Sequence, residues 1–337
     1  MSEAERHKDP PSLADIVDAR RLMGDKIIET PVVPLQSDRI RSAMPDGVTA
    51  TLKLELFQHT GSFKARGALL NVLQLPPESK SRGVTCVSAG NHAIALAFAA
   101  RQVGISAKVV MMASADPVRI NACTDLGAEV VLMPDVHAAF VEGDRIVAIE
   151  GRTLVHGFEG RLTVLGTATL GAEFIRQVPD LDAVVIPVGG GGLIAGMARA
   201  IRLIKPSCLV FGVEPEGADS MSRSFAAGSP QRLDKVSTLA DSLGAPMALP
   251  YSFALARQNV DAIVLLTDDE MLKAMALLYD ALKIAVEPAG AASTAALIGP
   301  LRDRLAGKRV GLIACGSNIG EAKFAGYVAK GRELLAR

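Results

Sequence analysis

The chain has 337 residues, enough for two domains or one large one, and its 36 basic and 36 acidic side chains leave a formal net charge of zero. No basic block or acidic tail suits nucleic acid or an anionic membrane surface, so a small-molecule ligand is expected. Apolar runs such as Ala93 to Ala100 stop far short of the roughly 18 consecutive residues a membrane helix needs, so a cytoplasmic protein is expected by default. The four cysteines, Cys86, Cys123, Cys208 and Cys315, show neither C-x-x-C nor nearby His spacing and point to reduced thiols.

Met1 to Pro11 is charged and proline-bearing with no hydrophobic stretch behind it, which predicts a disordered arm over residues 1–11 rather than a secretory signal. Ser12-x-x-Asp15 then reads as a helix start. Further on, Lys64 lies in a glycine-punctuated turn beside Phe63 and small residues, where loss of solvent turns a lysine into a nucleophilic amine able to form an imine. Taken alone, the lysine is a weak signal, because most lysines are solvated surface charges.

Short β-branched runs follow at Val84–Ser88, Lys108–Met112, Glu129–Leu132, Ala183–Val188, Leu209–Val213, Ala262–Leu266 and Arg309–Cys315, alternating with helical stretches. Such alternation predicts an α/β protein with mainly parallel sheet. Three of the runs end in polar or glycine-rich turns that lead into helices: Ala89-Gly90-Asn91-His92, Gly189-Gly190-Gly191-Gly192 and Gly316-Ser317-Asn318. Ligands of open α/β sheets bind beyond the carboxyl ends of strands, so one crevice is expected to gather these turns. The four-glycine run suits a phosphate at a helix N-terminus. It also suits a plain tight turn or a dinucleotide site, since Gly190-x-Gly192-x-x-Ala195 fits a loose fingerprint and Glu214 stands where a ribose-gripping acid belongs. Thr267-x-x-Glu270 is a capping box opening a helix to Lys283, and a last helical run reaches Arg337.

Gly61-Ser62-Phe63-Lys64-x-Arg66-Gly67-Ala68, Ser88-Ala89-Gly90-Asn91-His92-Ala93, the glycine run, Val286-Glu287-Pro288 and Cys315-Gly316-Ser317-Asn318 occur in that order. Together they resemble the fold-type II pyridoxal-phosphate enzymes, in the branch of serine/threonine dehydratases and serine racemases, from about Ser12 to Gly326. The resemblance implies a tryptophan-synthase-β-like fold with two open, mainly parallel twisted sheets flanked by helices. It implies a large domain of residues 12–74 and 158–330, a small mobile domain of residues 75–157, and a homodimer. Lys64 would be the Schiff-base lysine to pyridoxal 5'-phosphate. Phe63 would pack beside the cofactor, Asn91 would bond its ring hydroxyl, and Gly189, Gly190, Gly191, Gly192 and Leu193 would hold its phosphate. Glu287 would sit near the ring, and Cys315 would face the pyridine nitrogen as a neutral partner. Ser88, Ala89, Gly90, Asn91 and His92 would receive the substrate carboxylate, with Thr238, Asp241 and Ser242 closing the pocket.

The implied reaction is β-elimination from a serine- or threonine-type amino acid, giving a 2-oxo acid and ammonia. Ala89 stands where racemases resemble one another in offering a serine, so elimination is expected over racemisation. Ala138, Ala139 and Phe140 fall where relatives have more polar residues, which opens phenylserine as a substrate, with hydroxyaspartate another family alternative. Gly212-Val213-Glu214-Pro215 resembles the segment ahead of a cation site, with Glu214, the backbone of Ala218 and Ser220 as candidate ligands. Ser220 replaces the expected second carboxylate there, so no metal is assigned.

Overall fold

The computed structural model describes residues 9–337. The first eight residues of the expected arm lie outside the described residues. Asp9 and Pro11 are tied down, because their carbonyls accept hydrogen bonds from the Tyr251 hydroxyl at 2.8 Å and Arg199 Nε at 2.8 Å. The helix Leu13–Met23 begins with the expected capping box between Ser12 and Asp15.

The described residues form ten strands: β1 (Val32–Pro34), β2 (Thr49–Lys53), β3 (Val84–Val87), β4 (Ala107–Met112), β5 (Glu129–Met133), β6 (Thr153–Leu154), β7 (Ala183–Pro187), β8 (Leu209–Pro215), β9 (Ala262–Leu266) and β10 (Arg309–Ile313). They build a six-stranded sheet in the order β1-β2-β10-β7-β8-β9 and a four-stranded sheet in the order β5-β4-β3-β6. Every pairing is parallel except β1 with β2. Buried runs such as Val184, Val185 and Ile186 in β7 explain the near-continuous apolar strands, because helices cover both faces. The seven runs read from sequence are all strands, whereas β1, β2 and β6 carry weaker signals: they are short, sit beside proline or glycine, or mix polar with apolar residues.

Placement of β10 between β2 and β7 is what creates the site. Last in the sequence, β10 runs parallel to both neighbours, so the segments following Lys53, Pro187 and Ile313 all emerge at one sheet edge. A crevice at such a reversal of strand order is the expected ligand position. The four-stranded sheet contributes the ends of β3, β4 and β6 to the opposite wall.

Two apolar cores support these sheets. One surrounds the larger sheet, and the other packs the helices Leu13–Met23, Lys64–Leu73 and Asn91–Val103 against β3 and β4. The helix Asn91–Val103 is buried along nearly every residue to Ala100, as an all-round apolar sequence requires. Among the described residues, no helix is long and apolar enough to cross a membrane.

Candidate active site

Lys64 is the first residue of the helix Lys64–Leu73. The turn ahead of it is built for one shape: Thr60 and Gly61 both have φ near 68°, and Asn318 Nδ2 donates to the Thr60 carbonyl at 2.7 Å. A Cβ at Gly61 would lie 2.8 Å from Asn318 Oδ1, so both left-handed backbone and close approach call for glycine there. The turn docks on the end of β10, where Phe63 N donates to the Cys315 carbonyl at 3.1 Å and Ser62 bridges Gly316. This docking aims Lys64 Nζ into the crevice, 5.1 Å from the Phe63 ring centroid, and the amine donates to the Gly157 carbonyl.

Desolvation lowers the Lys64 pKa from 10.5 to about 8, with neighbouring Cys315 and Glu287 acting the other way. The sign of the resulting pH dependence is direct. A nucleophilic amine must be unprotonated, so trapping of an added aldehyde on Lys64 is expected to rise with pH up to about 8 and level off above it. Borohydride-fixed adduct on the cofactor-free protein, followed by peptide mass analysis across pH, checks this. A rise continuing to the ordinary lysine value would contradict the buried setting.

Cys315, Glu287, Asn91 and Asn318 form one cluster. Asn91 Nδ2 donates to Glu287 Oε1 at 2.7 Å and to Ser242 Oγ at 3.2 Å, while Asn91 Oδ1 accepts from Asn318 Nδ2 at 2.7 Å. Glu287 Oε2 is buried without a hydrogen-bond partner, 3.7 Å from Arg119 Nη2. Burial raises the Glu287 pKa, offset in part by Arg119. Burial, and then the Glu287 charge, push the Cys315 thiol well above the usual range, so it stays neutral.

The glycine run follows β7 and opens the helix Gly192–Ile204, which has no acidic residue in its first turn. The first N–H groups of a helix have no carbonyl ahead of them, so this end is a cradle for an anion. A Cβ at Gly190 would fall within the Phe158 ring, and one at Gly189 would meet Ser242 O at 3.1 Å, so the backbone itself must face the guest. Leu193 turns its side chain into the core, which leaves only its N–H for a ligand. Pyridoxal 5'-phosphate fits these residues: an anion cradle for the phosphate, a desolvated amine for the aldehyde and a neutral thiol for the ring nitrogen.

A cavity of about 940 Å³ is bordered by Lys64 and Gly190 on one side and by Ser88, Ala89, Gly90, Asn91 and His92 on the other, while Cys315 and Glu287 do not line it. His92 is structural in its bonding. Its Nε2 pairs with the Val155 carbonyl at 2.8 Å, and desolvation lowers its pKa to about 3, so the ring is neutral and donates. Asp241 and Ser242 border the cavity, whereas Thr238 is turned away to donate to Asp268 at 2.6 Å. Of the three residues flagged near position 139, Phe140 alone lines the cavity, and Ala139 is buried in a small cluster with Val110 and Ile146.

Glu214 is held by backbone N–H groups inside the protein. It is fully buried, and its two oxygens accept the N–H groups of Met221 at 2.9 Å and Ser222 at 2.7 Å, capping the helix Ser220–Ala227. It therefore grips no ribose. Of the other candidate cation ligands, Ser220 Oγ is buried with no hydrogen-bond partner among the described residues, and neighbouring Asp219 pairs with Arg223. Among the described residues, no three His, Cys, Asp or Glu side chains converge as a metal site.

The sequence motifs miss the loop Val155–Gly160. Gly157 receives the Lys64 amine, Phe158 covers Gly190, and Glu159 accepts the N–H groups of Tyr251 and Ser252. Only the two-residue strand β6 precedes it, too short to announce a strand-to-loop turn. Arg119 was also not foreseen. From the helix Pro117–Asp125 its Nη2 and Nε reach the Asn318 carbonyl at 3.0 and 3.2 Å, linking the two sheets across the crevice.

A desolvated lysine facing an anion cradle across a sheet reversal defines an enzyme that holds a phosphorylated aldehyde cofactor. Residues 24–316 match the family model described as pyridoxal-phosphate dependent enzyme. The chain belongs to this family, and its cofactor is pyridoxal 5'-phosphate. It is 49% identical over 321 residues to phenylserine dehydratase of Ralstonia pickettii, covering 95% of this chain and 97% of that protein. It is 32% identical to L-threo-3-hydroxyaspartate ammonia-lyase of Saccharomyces cerevisiae, over 95% and 97% of the two chains. The solved structure of maize serine racemase superposes with a TM-score of 0.89 at 30% identity, covering 98% of this chain and 100% of that one. Membership of this family removes the alternative of a dinucleotide site at the glycine run, and with it a nucleotide-binding oxidoreductase.

Proposed function

We propose that this enzyme removes water and then ammonia from a β-hydroxy amino acid whose β-carbon carries an apolar, aryl-type group, as in phenylserine. The observation that carries the reading is the apolar wall of the cavity reached by Lys64. Phe140, Met112, Val87, Leu154, Met247 and Leu249 border it. A ring buried there gains about 25 cal/mol per Å² removed from water, and the similarity to the Ralstonia protein points the same way. A β-carboxylate substrate lacks comparable support, since the wall's cations Arg119 and Lys323 already face Asp241 at 3.6 and 3.3 Å.

Bound pyridoxal phosphate supplies an electron sink that acidifies the substrate's Cα–H. The chain's residues do the rest. Lys64 anchors the cofactor and, once freed, takes the Cα proton. The glycine run holds the phosphate, and Asn91 and Glu287 lie beside the ring with Cys315 as a neutral partner to its nitrogen. N–H groups of the Ser88–His92 loop hold the substrate carboxylate at a helix start. Ala89 borders the cavity and has no proton to exchange, which supports elimination over racemisation.

In the same reading, residues 75–157 close over the substrate against residues 12–74 and 158–330, with Arg119 as a cross-link, and the working form is a cytoplasmic homodimer. Release of 2-oxo acid from D- and L-isomers of phenylserine, threonine, serine and hydroxyaspartate tests the function. Phenylserine is expected to have the highest kcat/KM, and a preference for hydroxyaspartate would reject the aryl reading. Phe140→Ala is expected to lower the phenylserine-to-threonine ratio of kcat/KM by about tenfold, the scale of lost apolar contact in a specificity pocket.

A further inference from the structure

The loop that receives the Lys64 amine carries a second polar group facing the same space. His156 immediately precedes Gly157, and its ring borders the 940 Å³ cavity. Its Nδ1 accepts the backbone N–H of Phe158 at 3.3 Å and of Glu159 at 3.1 Å. A ring nitrogen that accepts two N–H groups carries no proton, so the neutral ring has its single proton on Nε2. The ring is further fixed edge-on to Phe158, with centroids 4.5 Å apart and planes at 88°. Phe158 is itself pinned over Gly190, and its carbonyl accepts from Ser252 Oγ at 2.6 Å.

Ionisation is opposed here: desolvation lowers the His156 pKa and the Lys64 charge adds to this, with Glu159 acting the other way. The contrast with His92 is instructive. His92 gives its Nε2 proton to the Val155 carbonyl, whereas His156 Nε2 has no hydrogen-bond partner among the described residues. A neutral ring fixed through its Nδ1 thus belongs to a residue that lines the cavity, and the carbonyl of the next residue holds the basic amine.

We infer that His156 is a substrate-positioning residue whose Nε2–H donates to the β-hydroxyl oxygen of the bound amino acid. The inference rests on the dehydratase reading and deepens it. In the elimination, Lys64 takes the Cα proton and the Cα–H electron pair becomes the second bond of Cα=Cβ. The Cβ–O bond breaks with its pair left on oxygen, which takes the proton back from the Lys64 ammonium and departs as water. His156 loses no proton in this balance. Its donor stabilises the charge that grows on oxygen and keeps the hydroxyl turned toward the ammonium.

The test uses the holoenzyme and two variants that separate the ring's two nitrogens. His156→Asn keeps an acceptor near the Nδ1 position for the loop N–H groups and loses the Nε2–H. His156→Gln places an amide N–H near the Nε2 position. Phenylserine is compared with β-chloroalanine, whose chloride leaves without a proton. In His156→Asn, kcat for phenylserine is expected to fall about 10²-fold, as when one preorganised donor is removed, and for β-chloroalanine less than about threefold. His156→Gln is expected to recover much of the phenylserine rate.

Equal losses on both substrates, or no loss on phenylserine, would overturn the inference while leaving the dehydratase reading intact. If the wild-type enzyme releases no 2-oxo acid from any β-hydroxy amino acid, that reading fails and the inference falls with it. A second readout needs no turnover. ¹⁵N NMR of histidine-labelled, cofactor-free protein is expected to show His156 neutral and protonated on Nε2 at pH 7, and a proton on Nδ1 would reject the assignment.

Discussion

Lys64→Ala is expected to lower turnover of any β-hydroxy amino acid by at least about 10³-fold, because one change removes both the covalent anchor and the Cα base. The fold is expected to survive. Among the described residues, Lys64 Nζ has a backbone carbonyl as its hydrogen-bond partner and forms no salt bridge, so its removal breaks no direct ion pair. A desolvated ammonium is itself costly, and alanine is a good helix former for the first position of Lys64–Leu73. Three measurements on the variant define the result: absorbance of the bound cofactor, borohydride-fixed adduct by peptide mass, and urea unfolding. An adduct that persists on another lysine together with turnover near the wild-type rate would sink the assignment.

The second large effect concerns stability and lies two residues further on. Arg66 is completely buried and makes a fork to each of two carboxylates: Nε and Nη2 to Glu55 at 2.9 and 2.8 Å, Nη1 and Nη2 to Glu173 at 3.0 Å each. Lys53, also buried, pairs with Glu173 and donates to the Thr30 carbonyl at 2.6 Å. Burial alone raises the Glu55 pKa, and Arg66 overcomes that, so the carboxyl is held below its ordinary value. Two cations thus balance two anions in a buried site between β2, the Lys64 helix and the helix Arg161–Gln177.

Arg66→Met leaves Glu55 and Glu173 with one cation between them. Breaking a buried pair costs about 3–5 kcal/mol, against a total stability of about 5–15 kcal/mol. The variant is expected to unfold at much lower urea concentration than wild type, with lowered soluble yield. Arg176→Met, which breaks the surface pair with Glu29, serves as the comparison and is expected to cost at most about 1 kcal/mol. Equal midpoints for the two variants would show that the buried network contributes nothing special. Because Arg66 and Lys64 share one helix, the network also fixes the ground on which the amine stands.

Much of the architecture was legible from patterning. Strands buried on both faces must be apolar along their length, which announced β3, β4, β7, β8 and β10. The less buried β5 and β9 showed through their β-branched and aliphatic runs, and Ser12 and Thr267 marked helix starts because a cap needs an oxygen at one position. Lys64, Asn91 and Cys315 stood out only through ordered motifs that resemble the family's, whereas the glycine run also answers to close backbone packing that a side chain would block. What the sequence could not reveal was whatever depends on partners far along the chain. Glu214 stood at a plausible ligand position, and only the fold turned its oxygens onto the N–H groups of Met221 and Ser222. Phe140 and Ala139 are adjacent in sequence, yet helical rotation sends one to the cavity and the other to the core.

His156, Gly157 and Arg119 carried no periodic or motif signal. Their meaning comes from contacts such as Arg119 with Asn318, 199 positions apart. Local sequence determined which segments become strand, cap or anion cradle, since those choices follow from backbone sterics and nearby polarity. Tertiary structure alone decided which side chains meet in the crevice, because the insertion of β10 between β2 and β7 brings together strand ends at Lys53, Pro187 and Ile313 that lie far apart along the chain.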